Sequence, residues 1–367
     1  MFWWMNRKNS KFLLLSLAVL LICAGTISCT EYRAKNHYEK GLTALKIGKN
    51  SEAVIEFKNA IQLDPNHADA LYQLGVAYLK SGGQNNLQNG YNVFSDLAVK
   101  KPARVDAQLK LGEILLLGND IKAASNKADF VLQKDPKNAE GNLLYARIKV
   151  KEKKFNEAKQ AYQKVIDLDP NMLPAYNEWT AILVMERDFE KAEALLQQAI
   201  SANAKVTSTY FALAVFYQII GKTQEEETQY QKALAIAPKN KIGYFLLARY
   251  YARQKNYASA EKAIITAAGI DKKDDEPFLI LGDFYLQQNR PNDAEKAYLS
   301  AKIADEKSGR GGKKLAVLYL SQFKKKEAAS EIESLLLKRK DSDNDPFFLK
   351  GRLLLLDKKD TLAIDQF

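Results

Sequence analysis

The chain has 367 residues, 47% hydrophobic and 27% charged, with 9 Pro and 18 Gly, a balance that excludes a disordered or low-complexity chain. Its formal net charge is +11, but Lys and Arg are interleaved with Asp and Glu, and no basic stripe with interposed aromatics points to nucleic acid. Both cysteines, Cys23 and Cys29, fall in the first thirty residues, which excludes disulfides and thiolate metal sites from everything downstream.

The first element is a leader. Residues 6–11 (NRKNSK) are polar and positive, residues 12–22 are apolar over the length of a signal-peptide core, and the small-residue stretch AGTISC comes next. Residues 1–28 are therefore either a cleaved export signal or an uncleaved membrane anchor. The segment Thr26, Ile27, Ser28, Cys29 resembles a bacterial lipoprotein box, with Thr26 standing where such boxes usually carry Leu. That resemblance implies lipid attachment at Cys29, and Thr30 in place of Asp implies the outer membrane. Acyl chains there would tether the rest of the chain to a bilayer surface. Residues 29–33 are expected to be a short linker.

From residue 34 the chain repeats itself with a period near 34 residues. If the first recurrent small residue is placed at position 8, repeats begin at Ala34, Ala68, Val105, Ala139, Leu173, Thr207, Lys241, Asp275 and Gly309, with a partial tenth near Asn344. Position 8 is then small throughout, for example Gly41, Gly75, Gly112, Ala146, Ala248, Gly282 and Gly351. Position 20 is small as well (Ala53, Ala124, Ala158, Ala192, Ala260, Ala294), with a three-residue insertion in repeat two and Glu226 as the exception in repeat six. Two antiparallel helices approach closely only where side chains are absent or tiny, so this spacing predicts a helix pair per repeat that crosses at those positions. Larger residues at position 24 (Phe57, Phe94, Tyr162, Tyr230, Tyr298) and tyrosines at position 11 (Tyr78, Tyr217, Tyr251, Tyr285, Tyr319) are expected to fill the core around each crossing. Pro65, Pro102, Pro136, Pro170 and Pro238 are expected to end the second helices, and the glycine-rich start SGRGGKK to shorten the first helix of repeat nine. With no period-2 alternation of Val, Ile and Thr, the fold class is all-α.

This pattern over residues 34–367 resembles the tetratricopeptide repeat (TPR) family, with about nine full repeats and a tenth that stops at position 24. The resemblance implies an α-solenoid, a right-handed superhelix of helix-turn-helix repeats. It also implies a groove lined by positions 2, 5, 9, 12 and 13 of the first helices, where other proteins or extended peptides bind. Those offsets hold Arg147 and Lys151 in repeat four, and Arg249 and Arg253 in repeat seven, with Val184, Met185, Phe211, Val215 and Phe245 between them. Each cationic pair is four residues apart, on one helical face. Cationic ends around an apolar middle suit a peptide with acidic and hydrophobic anchors, or an anionic polysaccharide.

Nothing in the chain assembles a nucleophile, a base and oxyanion donors, and no cofactor or metal is expected. The run GRGGKK (309–314) fails as a phosphate loop because Lys307 and Lys314 stand where Gly and Ser or Thr are needed. The acidic run 341–345 fails as a calcium loop because Pro346 and Arg352 stand at its glycine and bidentate-glutamate positions. His37 and His67, the only histidines, are expected as surface or interhelical residues. The stretches LGEILLLGND and DPKNAEGNLLYARIKV are similar to those of TPR lipoproteins of bacterial exopolysaccharide and PEP-CTERM sorting systems. That likeness implies a non-catalytic scaffold at the periplasmic face of the outer membrane. Two other functions stay open: the N-terminal TPR region of a larger enzyme such as a glycosyltransferase, and a membrane-anchored regulator facing the cytoplasm.

Overall fold

The computed structural model describes residues 30–338 and 343–367; the leader with Cys29, and part of the acidic run, lie outside the described residues. Two compact bodies divide the chain, one up to Glu186 and the other from Arg187 onward. In the N-terminal body the helices are α1 (residues 30–46), α2 (Asn50–Leu63), α3 (Ala68–Ser81), α4 (Gln84–Lys100), α5 (Val105–Leu117), α6 (Ile121–Lys134), α7 (Ala139–Lys151), α8 (Phe155–Leu168) and α9 (Leu173–Met185). The C-terminal body continues with α10 (Phe189–Ala202), α11 (Thr207–Ile220), α12 (Thr223–Ile236), α13 (Lys241–Arg253), α14 (Tyr257–Ile270), α15 (Glu276–Gln287), α16 (Pro291–Ala304), α17 (Arg310–Ser321), α18 (Lys325–Lys338), α19 (Asp345–Leu356) and α20 (Asp360–Ile364). Within each body, successive helices pack on their neighbours in chain order, as a stack of helical pairs, and no strand occurs among the described residues.

First helices begin at the expected residue in repeats two to seven and one residue later in repeats eight, nine and ten. The expected linker is corrected: residues 30–33 already belong to α1, because Thr-Glu-Tyr-Arg contains no helix breaker and Ala34 beyond it is buried. Helix α17 has 12 residues, yet α15 and α19 are equally short without a glycine run. The glycines of that run serve packing instead: a Cβ on Gly311 would lie 2.4 Å from the backbone nitrogen of Lys302 on α16.

The predicted crossings form. A Cβ on Gly41, Gly75, Gly282 or Gly351 would sit 2.2–2.6 Å from the ring of Phe57, Phe94, Tyr298 or Phe367, the position-24 residue of the same repeat. Repeat three has Ala128 at position 24, and Leu144 from the next repeat reaches over Gly112 in its place. A Cβ on Gly112 would also lie 3.7 Å from the carbonyl oxygen of Ala124, so the two small positions face each other as expected.

Two devices recur at the ends of the paired helices. At position 15, between the paired helices, the backbone is left-handed at Gly48, Gly82, Asn119, Lys153, Arg187, Gly221, Lys255, Asn289, Phe323 and Lys358. In eight repeats the following N–H donates to the position-11 carbonyl at 2.9–3.0 Å, for example Asp120 to Leu115 and Lys324 to Tyr319. This bond satisfies a carbonyl that the helix end leaves open. At the other end, second helices stop on the same residue with or without proline. Asp64, Asp135, Asp169, Asp271 and Asp305 each accept the N–H two residues on, at 2.9–3.0 Å. Asp271 and Asp305 do so where Lys272 and Glu306 replace proline, so the side-chain turn itself ends the helix.

The position-11 tyrosines do more than fill space. In the C-terminal body Tyr217, Tyr251, Tyr285 and Tyr319 donate their hydroxyls to Glu193, Glu227, Glu261 and Glu295, each 24 residues earlier on the preceding second helix, at 2.6–2.9 Å. Lys222, Arg290 and Lys324 pair with the other oxygen of Glu193, Glu261 and Glu295 while lying 4.4–5.6 Å from the tyrosine ring centres. A tyrosine, a glutamate and a cation thus couple neighbouring repeats at a fixed register. Only the ring of this trio was legible as core.

Candidate functional site

The N-terminal body carries a pocket of about 680 Å³ built by α5, α7, α8 and α9. It arises where position 9 runs Glu113, Arg147, Ala181 along three successive first helices, so that the last of the three presents only a methyl group. Leu116, Leu117, Phe155, Ile182 and Met185 supply much of its apolar lining, and Leu117 and Met185 are largely exposed. Apolar side chains left accessible inside a concave site are what a ligand's own apolar surface would cover.

One wall is charged and ordered. Arg147 donates to Glu178 on α9 through Nε and Nη2 at 2.7–3.0 Å, and Tyr162 on α8 donates to the other side of that carboxylate at 3.0 Å. Burial alone would lower the Arg147 pKa, but the hydrogen bonds and charge of Glu178 outweigh it and hold the guanidinium charged. Burial first, then the charge of Glu178, pushes the Tyr162 hydroxyl far above its ordinary value. Tyr162 is therefore a neutral donor at any physiological pH. The same device recurs with other residue types in the C-terminal body, where Asp283 accepts from Tyr298 at 2.5 Å and from Lys314 at 2.7 Å.

Of the groove residues expected from the sequence, Arg147, Lys151 and Met185 line this pocket. Lys151 is exposed and makes no ion pair among the described residues. Val184 is half-buried beside them on α9. In the C-terminal body Val215 and Arg249 are exposed and Phe245 is half-buried. One expectation is corrected there. Arg253 is not a free groove cation: it pairs with Glu226, whose side chain is buried at the crossing of repeat six, where a small residue was expected. Phe211 is half-buried, like Phe245, and packs against Tyr230 and over Gly243.

Sequence reading missed Glu178, because position 6 is not a groove offset, and Ala181, because a small residue reads as neutral. The pairing of a cation at position 9 with an acid at position 6 of the next repeat was the available signal. His37 bonds Glu56 at 2.6 Å and His67 caps α3 through the Ala70 N–H, both structural roles. Lys313 takes Asp343 and Asp345 as counter-ions, which accounts for the described part of the acidic run.

A family model described as TPR repeat matches residues 41–82, and models described as Tetratricopeptide repeat match residues 115–182, 149–215, 207–240 and 245–309. No curated protein matches the chain. Among solved structures it is similar to MamA (41-end) from Desulfovibrio magneticus RS-1, at 22% identity over 47% of this chain and 96% of that one, with a TM-score of 0.40. It is also similar to a tetratricopeptide repeat protein from Parabacteroides merdae, at 14% identity over 74% and 93% of the two chains and a TM-score of 0.39. A third is PilF of Pseudomonas aeruginosa, at 18% identity over 53% and 87%, with a TM-score of 0.37. The matched repeats together span more than half of the residues, and the chain belongs to the tetratricopeptide repeat family.

Proposed function

We propose that this chain is a non-catalytic scaffold of the bacterial cell envelope, lipid-anchored through Cys29 at the periplasmic face of the outer membrane. There it supports assembly of an exopolysaccharide or protein export and sorting system. Tetratricopeptide repeats bind other proteins or peptides, and the observation that carries the binding role in this chain is the pocket between α5 and α9, with accessible apolar side chains beside an ordered charged wall. The envelope reading is supported by the positive stretch at residues 6–11, the apolar one at 12–22, the lipoprotein-like Thr26 to Cys29, and the lack of any thiol after Cys29.

Radiolabelled palmitate supplied to cells making the full chain tests the anchor. The expected outcome is a labelled chain in the outer-membrane fraction, with label and outer-membrane localisation both lost in Cys29→Ser. Label retained by that variant would sink lipid attachment at Cys29, and a reporter fused after residue 40 that is active only in the cytoplasm would sink the envelope reading in favour of a cytoplasm-facing regulator. Crosslinking in cells followed by mass spectrometry is expected to recover envelope proteins as partners.

A further inference from the structure

The pocket of the N-terminal body has an uneven charge inventory. Glu178 is spent on Arg147 and Tyr162, and Glu113, the other carboxylate of the lining, is spent on Lys110 at 2.8 Å. Arg147 uses Nε and Nη2 for Glu178 and leaves its Nη1 hydrogens without a partner among the described residues. Lys151, one turn along the same face of α7, is unspent as well. The polar capacity left to a ligand is therefore cationic, and it borders an apolar floor of Leu116, Phe155, Ile182 and Met185.

We infer that this pocket recognises a short extended peptide segment in which a bulky apolar residue stands next to an acidic one. The apolar side chain lies over the floor opened by Ala181, and the neighbouring carboxylate faces Lys151 and Nη1 of Arg147. This rests on the reading of the chain as a peptide-binding scaffold and adds the sequence class that is bound. A basic residue beside the apolar one meets like charge at Lys151 and is rejected. An acidic residue beside a small polar one leaves the floor uncovered and gains little. Ala181 sets the size of the entrance, since any long side chain there would occupy the space between Arg147 and Met185.

The test is fluorescence anisotropy on the purified full chain, with three labelled decapeptides of Gly and Ser that carry Phe-Asp, Phe-Lys or Ser-Asp at their centre. Phe-Asp is expected to bind at least tenfold more tightly than either of the others. Lys151→Glu and Ala181→Arg are each expected to weaken it tenfold or more with an unchanged circular-dichroism melt, whereas Lys151→Arg retains it. Equal binding of Phe-Asp and Phe-Lys overturns the inference, and so does absence of Phe-Asp binding at millimolar peptide or indifference to Ala181→Arg. A polyuronate fragment that displaces the Phe-Asp peptide and binds more tightly would assign the pocket to sugar and overturn it too. If Ala181→Arg retains every crosslinked partner in cells, the scaffold reading stands and the pocket assignment alone falls.

Discussion

Glu226 occupies a place that nine other repeats reserve for a small side chain, and it is tolerated because Arg253 of the following repeat meets its buried carboxylate. Removing one partner of such a pair strands a charge, whereas removing the carboxylate restores the small residue. Arg253→Ala is therefore expected to lower unfolding free energy by about 3 kcal/mol, the low end for a buried pair because Arg253 is itself part-exposed. Glu226→Ala should be close to neutral, and adding it to Arg253→Ala should restore most of the loss, as read by guanidinium denaturation of the three variants. Glycines divide in the same way. Gly282→Ala pushes a Cβ to 2.2 Å from the Tyr298 ring. It should cost about 1–3 kcal/mol through overpacking. Gly269, on α14, has open space where its Cβ would go. Gly269→Ala should stabilise by about 0.5–1 kcal/mol through helix propensity. Phe323 is exposed and left-handed at φ 57°, a conformation that strains a bulky residue. Phe323→Gly should gain about 0.5–1 kcal/mol, relief of the strain being partly offset by backbone entropy, and a raised Tm checks it.

At the scale of the element, the tyrosine, glutamate and cation trios make the coupling between repeats depend on pH in two directions. Hydrogen bonds from Arg290, and then Tyr285, hold Glu261 below its ordinary pKa; its contribution is complete above about pH 4.3 and is lost as pH falls through the lowered value. Burial, with the hydrogen bond to Glu261, pushes Tyr285 up to about 12. A raised tyrosine stabilises fully below its unfolded value of about 10 and loses that contribution as pH climbs toward 12. Tyr217 and Tyr319 are pushed up to about 12 in the same way, so the C-terminal body should show a steep alkaline loss of Tm between about pH 10 and 12. Tyr285→Phe should flatten that limb in melts followed by circular dichroism. The helix ends teach a related lesson. Proline marked the boundary in five repeats, but in three of them an aspartate before it forms the turn, and Asp271 and Asp305 end α14 and α16 with the same turn and no proline.

For the whole chain, what could be read beforehand was whatever the repeats encode as residue type. Small residues at positions 8 and 20 and large ones at 24 serve the crossing in nearly every repeat, Glu226 and Ala128 being the exceptions, and they located first-helix starts to within one residue from repeat two onward. Position 15 escaped notice because its requirement is a backbone conformation, which Gly48 and Gly221 meet but which Lys153, Lys255 and Phe323 also adopt. The groove was only partly legible for a different reason. Helical offset places Arg253 on an expected face but cannot reveal that an acid on the preceding helix has already claimed it. The pocket, likewise, depends on Ala181 being small, a fact with meaning only beside Arg147 and Met185.

The Glu193, Glu227, Glu261 and Glu295 series and its tyrosine partners share one spacing of 24 residues, so every junction in that series carries the same plug and socket. A tandem duplication of one period, such as residues 261–294 copied in place, would meet a ready-made partner at both of its ends. This one coupling therefore passes unchanged through the gain or loss of a whole module within this stretch.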